Sequence, residues 1–524
     1  MLFFMVYYKI PYNYVNTYIN KKALLVSLQR PMKKKKIVII GAGIAGLASA
    51  IRLQSLGHQV SVFEANDYPG GKLTAFSSKG YRFDMGPSLF TMPQFIEELF
   101  DVADKPIENY FTYKRKSVVC NYFFEDGTEY SALADINLFA EQASKTFNVD
   151  KHTIIEYLER SKRKYDLTSA LFLEKSLHKF STYLSTETLK AIIQVNALDI
   201  NVALDSYNSS VFDDKRLVQF FNRFATYNGS SPYQTPGIMS MIPHLEQYYG
   251  TFFPRGGMHS ITKSLFQLAK DLDVKFNFNK KVEEIVTERN RAKGIRIDNK
   301  FIDADIVISN SDVVPTYRHL LKKHKAPEKT LKQPRSSSAL IFYWGIKKEF
   351  PELDLHNIFF SEDYKTEFDF IFNKKKVYED PTVYINITSK EEPDDAPKGC
   401  GNWFVMINVP SNTGQNWDAI IEESRSNIIT KLSRLLKVDI EKLIDYESIL
   451  DPRRIESNTQ SYQGALYGAA SNNKYAAFLR HPNFKRSIKN LYFCGGSVHP
   501  GGGIPLCLLS GKIVSDLIEK PAKW

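Results

Sequence analysis

Cysteine is scarce in this sequence, and the few thiols are not grouped. Cys120, Cys400, Cys494 and Cys507 are the only four among 524 residues. They form no C-x-x-C pair, and they show no metal-ligand spacing with the ten histidines. We therefore expect neither a disulfide-stapled fold nor a metal site, and the scattered thiols indicate a reducing cytosol.

Long apolar runs are also missing. No window reaches about 18 uncharged apolar residues, the length that a helix needs to cross a bilayer. Residues 1–31 lack the basic start, the apolar run and the cleavage site of a signal peptide. We expect no transmembrane helix. We also expect that the protein starts at Met32 and that residues 1–31 are a disordered extension or are not part of it.

Acidic residues are fewer than basic ones, 58 against 69, which gives a formal net charge of +11. Lys33 to Lys36 form a basic run directly before the first apolar segment. Nucleic acid, an ordinary solvated surface and an anionic membrane face are three explanations for such charge. With 43% hydrophobic and 13% aromatic residues, the chain is expected to be globular with a large apolar interior.

A glycine motif follows the first apolar run, Ile37 to Ile40. Gly41, Gly43 and Gly46 have the G-x-G-x-x-G spacing and are followed by a helical pattern. The first glycine permits a tight turn, the second lets the backbone approach a pyrophosphate, and the third lets helix and strand pack closely. The helix N-terminus offers amide N–H groups to the phosphates. The pattern predicts a dinucleotide-binding βαβ unit.

An acidic residue ends the second predicted strand, Val60 to Phe63. Glu64 stands where a carboxylate accepts hydrogen bonds from ribose hydroxyls, and this argues against a 2′-phosphate. Gly70, Gly71 and Lys72 follow six residues later. Paired glycines let the chain pass against a diphosphate, and the lysine offers a point charge to balance it.

Three further segments carry a family resemblance. Gly70–Lys72 together with Phe83–Pro87 resemble the two-dinucleotide-domain flavoproteins of the amine oxidase and phytoene desaturase superfamily. The Gly256–Gly257 segment resembles the phytoene desaturases, and Gly495 to Pro505 resembles the terminal signature of bacterial carotenoid desaturases. Over Met32 to Trp524, the chain therefore resembles the bacterial FAD-dependent carotenoid/phytoene desaturase family.

The resemblance implies an α/β fold with a Rossmann-like FAD-binding domain, interrupted by an α+β substrate domain. Residues 32–110, 226–320 and 481–524 are the expected FAD-binding domain. Residues 111–225 and 321–480 are the expected substrate-binding and membrane-contacting region. The apolar spacing in residues from about 94 to 225 predicts mainly helices there.

The resemblance also implies the cofactor and its site. FAD is the expected cofactor, with no metal. The residues expected to bind it are Gly41, Gly43, Ala45, Gly46, Glu64, Gly70, Gly71, Lys72, Gly86, Pro87, Val282, Gly496, Ser497, Gly503 and Ile504.

The expected reaction is desaturation of an acyclic carotenoid, a long apolar polyene, by hydride transfer to the flavin. Within the family, Gly86 to Pro93 is more similar to 1-hydroxycarotenoid 3,4-desaturases than to the bacteroidete phytoene desaturases. Phytoene desaturation to lycopene is the alternative, and carotene isomerisation or another amine-oxidase-like activity is the third. Motifs seldom determine regiochemistry, since a shift of a few carbons along a tunnel changes the product.

His499 is the one histidine inside the terminal signature. It is a candidate for proton handling or for orienting the flavin, and the competing interpretation is a ring that hydrogen-bonds the backbone to shape the turn before Pro500. A lipid substrate favours the membrane explanation of the charge over nucleic acid. We therefore expect a cytoplasmic enzyme bound peripherally at the inner face of the cell membrane, with oxygen or a quinone as electron acceptor.

Overall fold

The computed structural model describes residues 33–169, 175–178, 198–472 and 479–519. Residues 1–31 and Met32, on which the expectation of an N-terminal extension rests, lie outside the described residues.

A parallel sheet of five strands holds the glycine motif. The strand Lys36–Ile40 pairs with Gln59–Phe63, so both predicted strands are confirmed with one more residue each at the start. In spatial order the strands are Leu491–Phe493, Ile306–Ser309, Lys36–Ile40, Gln59–Phe63 and Lys275–Asn277. All four pairings are parallel, as the predicted α/β fold requires.

The helix Ile44–Ser55 makes the crossover between the first two strands, and every residue from Ile44 to Leu53 is buried. A helix that is apolar on most sides is enclosed by protein. The C-terminal helix Ile504–Glu519 packs against it, and a Cβ on Gly511 would lie 3.0 Å from the Ala48 Cβ. The last segment of the chain therefore covers the first helix.

A second sheet has seven strands, drawn from two distant parts of the chain. In spatial order they are Ile444–Leu450, Ser338–Ile346, Gly401–Val409, Val383–Ile387, His356–Phe359, Val118–Phe123 and Glu129–Leu133. One face packs on the helix Trp417–Leu435 through Trp344, Trp403 and other buried residues. The opposite face is turned toward the cavity described below.

Helices predominate among the described residues of the segment from about 94 to 225, as expected, but strands interrupt it. Three strands lie inside it, Tyr113–Arg115, Val118–Phe123 and Glu129–Leu133. Val118–Phe123 is almost continuously apolar, and such a short run has no periodicity that separates a buried strand from a helix. Its pairing with His356–Phe359, more than 200 residues away, decides the conformation.

The remaining elements complete the description. A three-stranded sheet contains Glu284–Glu288, Arg291–Ile297 and Lys300–Asp303, and two-stranded pairs join Thr74–Ser78 with Tyr81–Met85 and Tyr113–Arg115 with Phe252–Pro254. Within the described residues, the other α-helices of six residues or more are Gln94–Ala103, Ile136–Phe147, Lys151–Thr168, Leu204–Ser209, Lys215–Asn222, His259–Asp271, Tyr364–Asp369 and Pro452–Thr459.

The sequence predicts neither a transmembrane helix nor a disulfide-stapled fold. Within them, no helix has the length and apolar character needed to cross a membrane. All four cysteines lie in the described part of the chain, and each is a free thiol.

Gly46→Ala tests the close contact of helix and strand. A Cβ at this position would lie 2.3 Å from the Gly41 carbonyl oxygen, so backbone must move. Alanine normally stabilises a helix relative to glycine, by about 1 kcal/mol. Here we expect the opposite sign, a loss of about 1–3 kcal/mol of unfolding free energy, measured by urea denaturation.

Ser426→Ala, at an exposed position of the helix Trp417–Leu435, is the control for helix propensity. It should leave stability unchanged or slightly raised. A Gly46→Ala protein as stable as the parent would show that the helix does not need the close approach.

Candidate functional site

One cavity of about 940 Å³ connects the two sheets. Its walls include the turns at the carboxyl ends of the parallel strands and the free face of the seven-stranded sheet. Ligands of open α/β sheets bind at the carboxyl ends of the strands, so the cavity lies where a dinucleotide is expected. Every residue predicted to bind the cofactor lines it, except Gly46.

The glycine turn has the geometry that its spacing predicts. Gly41 has a φ of +96°, which glycine adopts without strain. Gly43 is the N-cap of the helix Ile44–Ser55, and no side chain caps that end. Its backbone N–H groups are therefore available to an anion in the cavity. Gly46 acts behind this turn by close packing and does not line the cavity.

Glu64 joins the second strand to the glycine turn. Its carboxylate accepts hydrogen bonds from the Ala42 N–H at 2.7 Å and from the Asn66 N–H at 2.9 Å. A carboxylate offers about four acceptor positions, so two remain for another donor. Because Glu64 also lines the cavity, it can stabilise the turn and still accept a hydrogen bond from a ribose.

The paired glycines Gly70 and Gly71 pass across the glycine turn that begins at Gly41. The Gly70 N–H donates to the Ala42 carbonyl at 2.9 Å, and Gly70 and Gly71 have φ values of +105° and +61°. Gly86 lies against Lys72, the residue that follows Gly71. A Cβ on Gly86 would be 2.0 Å from the Lys72 carbonyl oxygen. Three glycine positions thus let two chain segments pass closely beside the cavity.

Lys72 lies half-buried in the cavity wall. Its ammonium donates to the carbonyls of Ala465 at 3.2 Å and Leu466 at 2.9 Å. Burial lowers the pKa of Lys72, while nearby Asp312 acts in the opposite direction. Burial raises the pKa of Asp312, because it disfavours the charged form of an acid as it does that of a base. The Asp312 carboxylate accepts from the Val314 N–H at 2.9 Å. The sequence analysis did not single out Asp312 as a site residue.

Asn310 is a second residue that the sequence analysis missed. It follows the strand Ile306–Ser309 at its carboxyl end, and its side-chain amide donates to the Gly41 carbonyl at 3.3 Å. A Cβ on Gly43 would lie 2.8 Å from the same amide nitrogen. Its position directly after a predicted parallel strand could have marked Asn310 as a site residue, because ligands bind at the carboxyl ends of such strands.

The C-terminal signature completes the part of the cavity wall formed by the glycine turns. Gly496, Ser497, Gly503 and Ile504 all line it. The Ser497 hydroxyl accepts from the Val313 N–H at 3.0 Å, which connects the signature to the segment after Asn310. Gly503 has a φ of +113°, and a Cβ there would meet no atom within 4 Å, so this backbone borders open space.

His499 lies in the same signature but does not line the cavity. Its Nε2 is 2.9 Å from the Lys175 carbonyl oxygen, and its own carbonyl accepts from the Asn483 side chain at 2.7 Å. Burial lowers the pKa of His499 to about 4, so the ring is neutral near pH 7. This placement favours the structural interpretation over proton handling.

The free face of the seven-stranded sheet forms an apolar wall. Leu450, Ile341, Met406, Tyr384 and Ile358 are paired neighbours, one from each of five adjacent strands, and all line the cavity. Strands lie about 4.8 Å apart, so this row extends over about 19 Å. It offers a long, mainly apolar surface.

Buried polar groups interrupt the apolar part of the cavity. Arg223 binds both carboxylate oxygens of Glu246, at 3.0 and 2.7 Å, and the Tyr227 hydroxyl donates to the same carboxylate at 2.6 Å. A second group joins Ser88, Tyr384 and His356 by hydrogen bonds. No local sequence pattern marks these groups.

The residues around the glycine turns fit a flavin dinucleotide. The uncapped helix N-terminus suits a pyrophosphate, Glu64 retains acceptor positions for a ribose, and the Gly503 backbone borders open space where a flat ring system can approach. The described residues contain no group of histidine, cysteine or acidic side chains arranged to hold a metal ion.

Comparison with known proteins gives relatives along almost the whole chain. Residues 44–518 match the family model of the flavin containing amine oxidoreductases. The chain is 60% identical over 484 residues to the 1-hydroxycarotenoid 3,4-desaturase of Flavobacterium sp. (strain P99-3), covering 92% of this chain and 99% of that protein. It is 33% identical over 493 residues to the 4,4'-diaponeurosporene oxygenase of Staphylococcus aureus (strain MSSA476), covering 93% and 98%.

Solved structures share the fold at low sequence identity. An oxidoreductase from Methanosarcina mazei is 17% identical, with a TM-score of 0.59 over 93% of this chain and 100% of that one. Putrescine oxidase bound to putrescine is 15% identical, with a TM-score of 0.61 over 93% and 100%. The chain belongs to the flavin containing amine oxidoreductase family and is an FAD-dependent oxidoreductase.

Proposed function

We propose that this protein is an FAD-dependent carotenoid desaturase that introduces the 3,4 double bond into a 1-hydroxylated acyclic end group. The observation that carries the proposal is the identity shared along nearly the whole chain with the Flavobacterium desaturase. The cavity supports it, because a single space joins the dinucleotide turns to a long apolar wall.

In the proposed reaction, the single bond between carbons 3 and 4 becomes a double bond. Two hydrogens leave, one as a hydride and one as a proton to water or a weak base. FAD, when bound, supplies the acceptor for the hydride. The chain's own residues orient the polyene along the row from Leu450 to Ile358 and exclude water from it.

We propose that the FAD-binding residues are those named from the sequence. Gly43 and Ala45 at the helix N-terminus would face the pyrophosphate, Glu64 the ribose, and the Val282 backbone the adenine. Gly70, Gly71, Lys72, Gly86 and Pro87 would line the diphosphate and the flavin from one side. Gly496, Ser497, Gly503 and Ile504 would line the flavin from the other, with Gly46 holding the helix in place.

The domain division and the cellular location are proposals too. Residues 32–110, 226–320 and 481–524 would bind FAD, and residues 111–225 and 321–480 would hold the substrate and contact the membrane. A lipid substrate and the net charge of +11 support peripheral binding at the inner face of the cell membrane. Oxygen and a quinone remain the two candidate electron acceptors.

Gly43→Val tests the pyrophosphate contact. The backbone at Gly43 has a φ of −69° and a ψ of 172°, which any residue adopts, so the variant should fold. Its Cβ would lie 2.8 Å from the Asn310 amide nitrogen, which must shift, and the two methyl groups would add bulk beside the helix N-terminus. We expect a folded protein with a thermal midpoint lowered by a few degrees, because the Asn310 amide is displaced, and with less than a tenth of the bound flavin, measured from the absorbance released on denaturation.

Gly43→Ala should lie between the parent and Gly43→Val, since its smaller side chain displaces only the Asn310 amide. Full flavin content in the valine variant would remove Gly43 from the cofactor site.

His499→Gln separates a structural from a catalytic histidine. Because the ring lies outside the cavity, we expect full flavin content and turnover within about twofold of the parent. The loss of the bond to the Lys175 carbonyl should lower the unfolding free energy by about 1 kcal/mol. A loss of turnover of a hundredfold or more with normal stability would return His499 to the mechanism.

The reaction itself is tested with two substrates offered separately. FAD-loaded protein should convert a 1-hydroxylated acyclic carotene, in air or with added quinone, to a product absorbing at longer wavelength. It should leave phytoene unchanged. Products are separated by liquid chromatography, and conversion of phytoene with no reaction of the hydroxylated carotene would establish the phytoene desaturase alternative instead.

A further inference from the structure

Ser88, Tyr384 and His356 form a polar group through their side chains. These bonds are separate from the backbone hydrogen bonds that pair the strands of the sheet. Tyr384 Oη lies 2.8 Å from the Ser88 Oγ and 2.7 Å from the His356 Nδ1. All three residues line the cavity, and His356 is 2% exposed. A cavity for a hydrocarbon needs no such group, and buried polar atoms cost free energy unless they are paired.

The hydrogen-bond network determines which nitrogen of His356 carries the proton. The Asn386 amide nitrogen donates to the Leu355 carbonyl at 3.0 Å and lies 3.2 Å from the His356 Nδ1. An amide nitrogen only donates, so Nδ1 is the acceptor. Burial lowers the pKa of His356 to about 3, so the ring is neutral. The proton is therefore on Nε2, which acts as a donor.

Nε2 has no hydrogen-bond partner among the described residues and is buried. His356 and Ile358 are two apart on one strand, so their side chains point to the same face, and both line the cavity. His356 borders the cavity, so a ligand that brings an acceptor beside the ring can satisfy this donor. The ligand of this cavity is thus expected to carry an oxygen close to its reacting carbons.

Chemistry limits where that oxygen must lie. In a 1-hydroxylated end group, the oxygen is bonded to carbon 1, only two bonds before carbon 3. The group that binds the oxygen must therefore lie beside the redox centre and not at the far end of the tunnel. Ser88 directly follows Gly86 and Pro87, which are predicted to line the flavin, and it connects to His356 through a single hydroxyl.

The Arg223–Glu246 pair lies nearby but is a weaker candidate. Both carboxylate oxygens are bonded by Arg223, and Tyr227 donates to one of them. The Glu246 carboxylate is therefore satisfied within the protein. Arg223 Nε has no hydrogen-bond partner among the described residues, but the guanidinium is already held in the ion pair with Glu246. The charges of the pair are close enough to influence the pKa of Tyr384, so they make this part of the cavity more polar than the Leu450–Ile341–Met406 stretch.

We propose that the His356 Nε2–H binds the 1-hydroxyl oxygen of the substrate, held in place by Tyr384 and Ser88, and so selects hydroxylated end groups and sets the 3,4 position. This inference rests on the proposed function. His356 is a substrate-binding residue here, and Tyr384 and Ser88 are positioning residues that act through it.

The test compares two substrates in one mixture. FAD-loaded full-length protein receives equal amounts of a 1-hydroxylated acyclic carotene and the same carotene without the hydroxyl, both in liposomes. The ratio of the two products gives the ratio of the kcat/KM values. In a second measurement the flavin is reduced with dithionite, so that no turnover occurs, and the ratio of carotenoids retained by immobilised protein is determined.

The parent protein should prefer the hydroxylated carotene by about tenfold in both measurements, as one hydrogen bond allows. His356→Leu should reduce the preference to about one by weakening the hydroxylated substrate alone. His356→Gln, which keeps an N–H donor, should retain part of it. His152→Leu, an exposed histidine outside the cavity, is the matched control and should behave like the parent.

Three results would overturn the inference: an unchanged preference in His356→Leu, an equal loss for both substrates, or loss of flavin, which would assign Nε2 to the cofactor. If His356→Leu does not fold, Tyr384→Phe replaces it, with an expected fall of about threefold in preference because one partner of Nδ1 is removed. A parent that oxidises neither carotene but retains the hydroxylated one through His356 would refute the proposed reaction and support the binding site.

Discussion

The close contact between the first helix and the turn before it is the constraint on which the site depends. Only a hydrogen atom fits between Gly46 and the Gly41 carbonyl, since a Cβ would lie 2.3 Å from that oxygen. The contact brings the helix N-terminus over the end of the strand, where Asn310 binds the same turn. Gly511 then lets the C-terminal helix lie against the first, so distant parts of the chain meet at one edge of the sheet.

A second sheet gives the cavity its length. Its wall follows from strand pairing, because one residue from each of five neighbouring strands points to the same side. The parallel sheet thus provides the polar turns for a dinucleotide, and the seven-stranded sheet provides an apolar surface suited to a polyene. The polar lining and the apolar lining of the cavity thus come from different sheets. They meet where Gly86, Pro87 and Ser88 border the cavity.

Much of the cofactor site could be predicted because its signals are local. Glycine spacing, an acid at a strand end and a small-residue signature are all read within a few residues, and all but Gly46 of the predicted positions line the cavity. His499 shows what local sequence cannot predict. It lies inside the C-terminal signature, yet its ring contacts the Lys175 carbonyl and does not line the cavity. The strand Val118–Phe123 lies in a segment expected to be mainly helical, and its partner strand is too distant in sequence for a local pattern to reveal the pairing.

The sequence by itself determined the dinucleotide turn, the family resemblance and the expected flavin chemistry, because short-range backbone requirements produce them. Only the tertiary structure decided what the substrate end of the cavity contains. Ser88 and Tyr384 are 296 residues apart and form one hydrogen bond, and His356 comes from a third segment of the chain. Side chains that meet across a sheet share no local pattern, because strand register and not sequence distance brings them together.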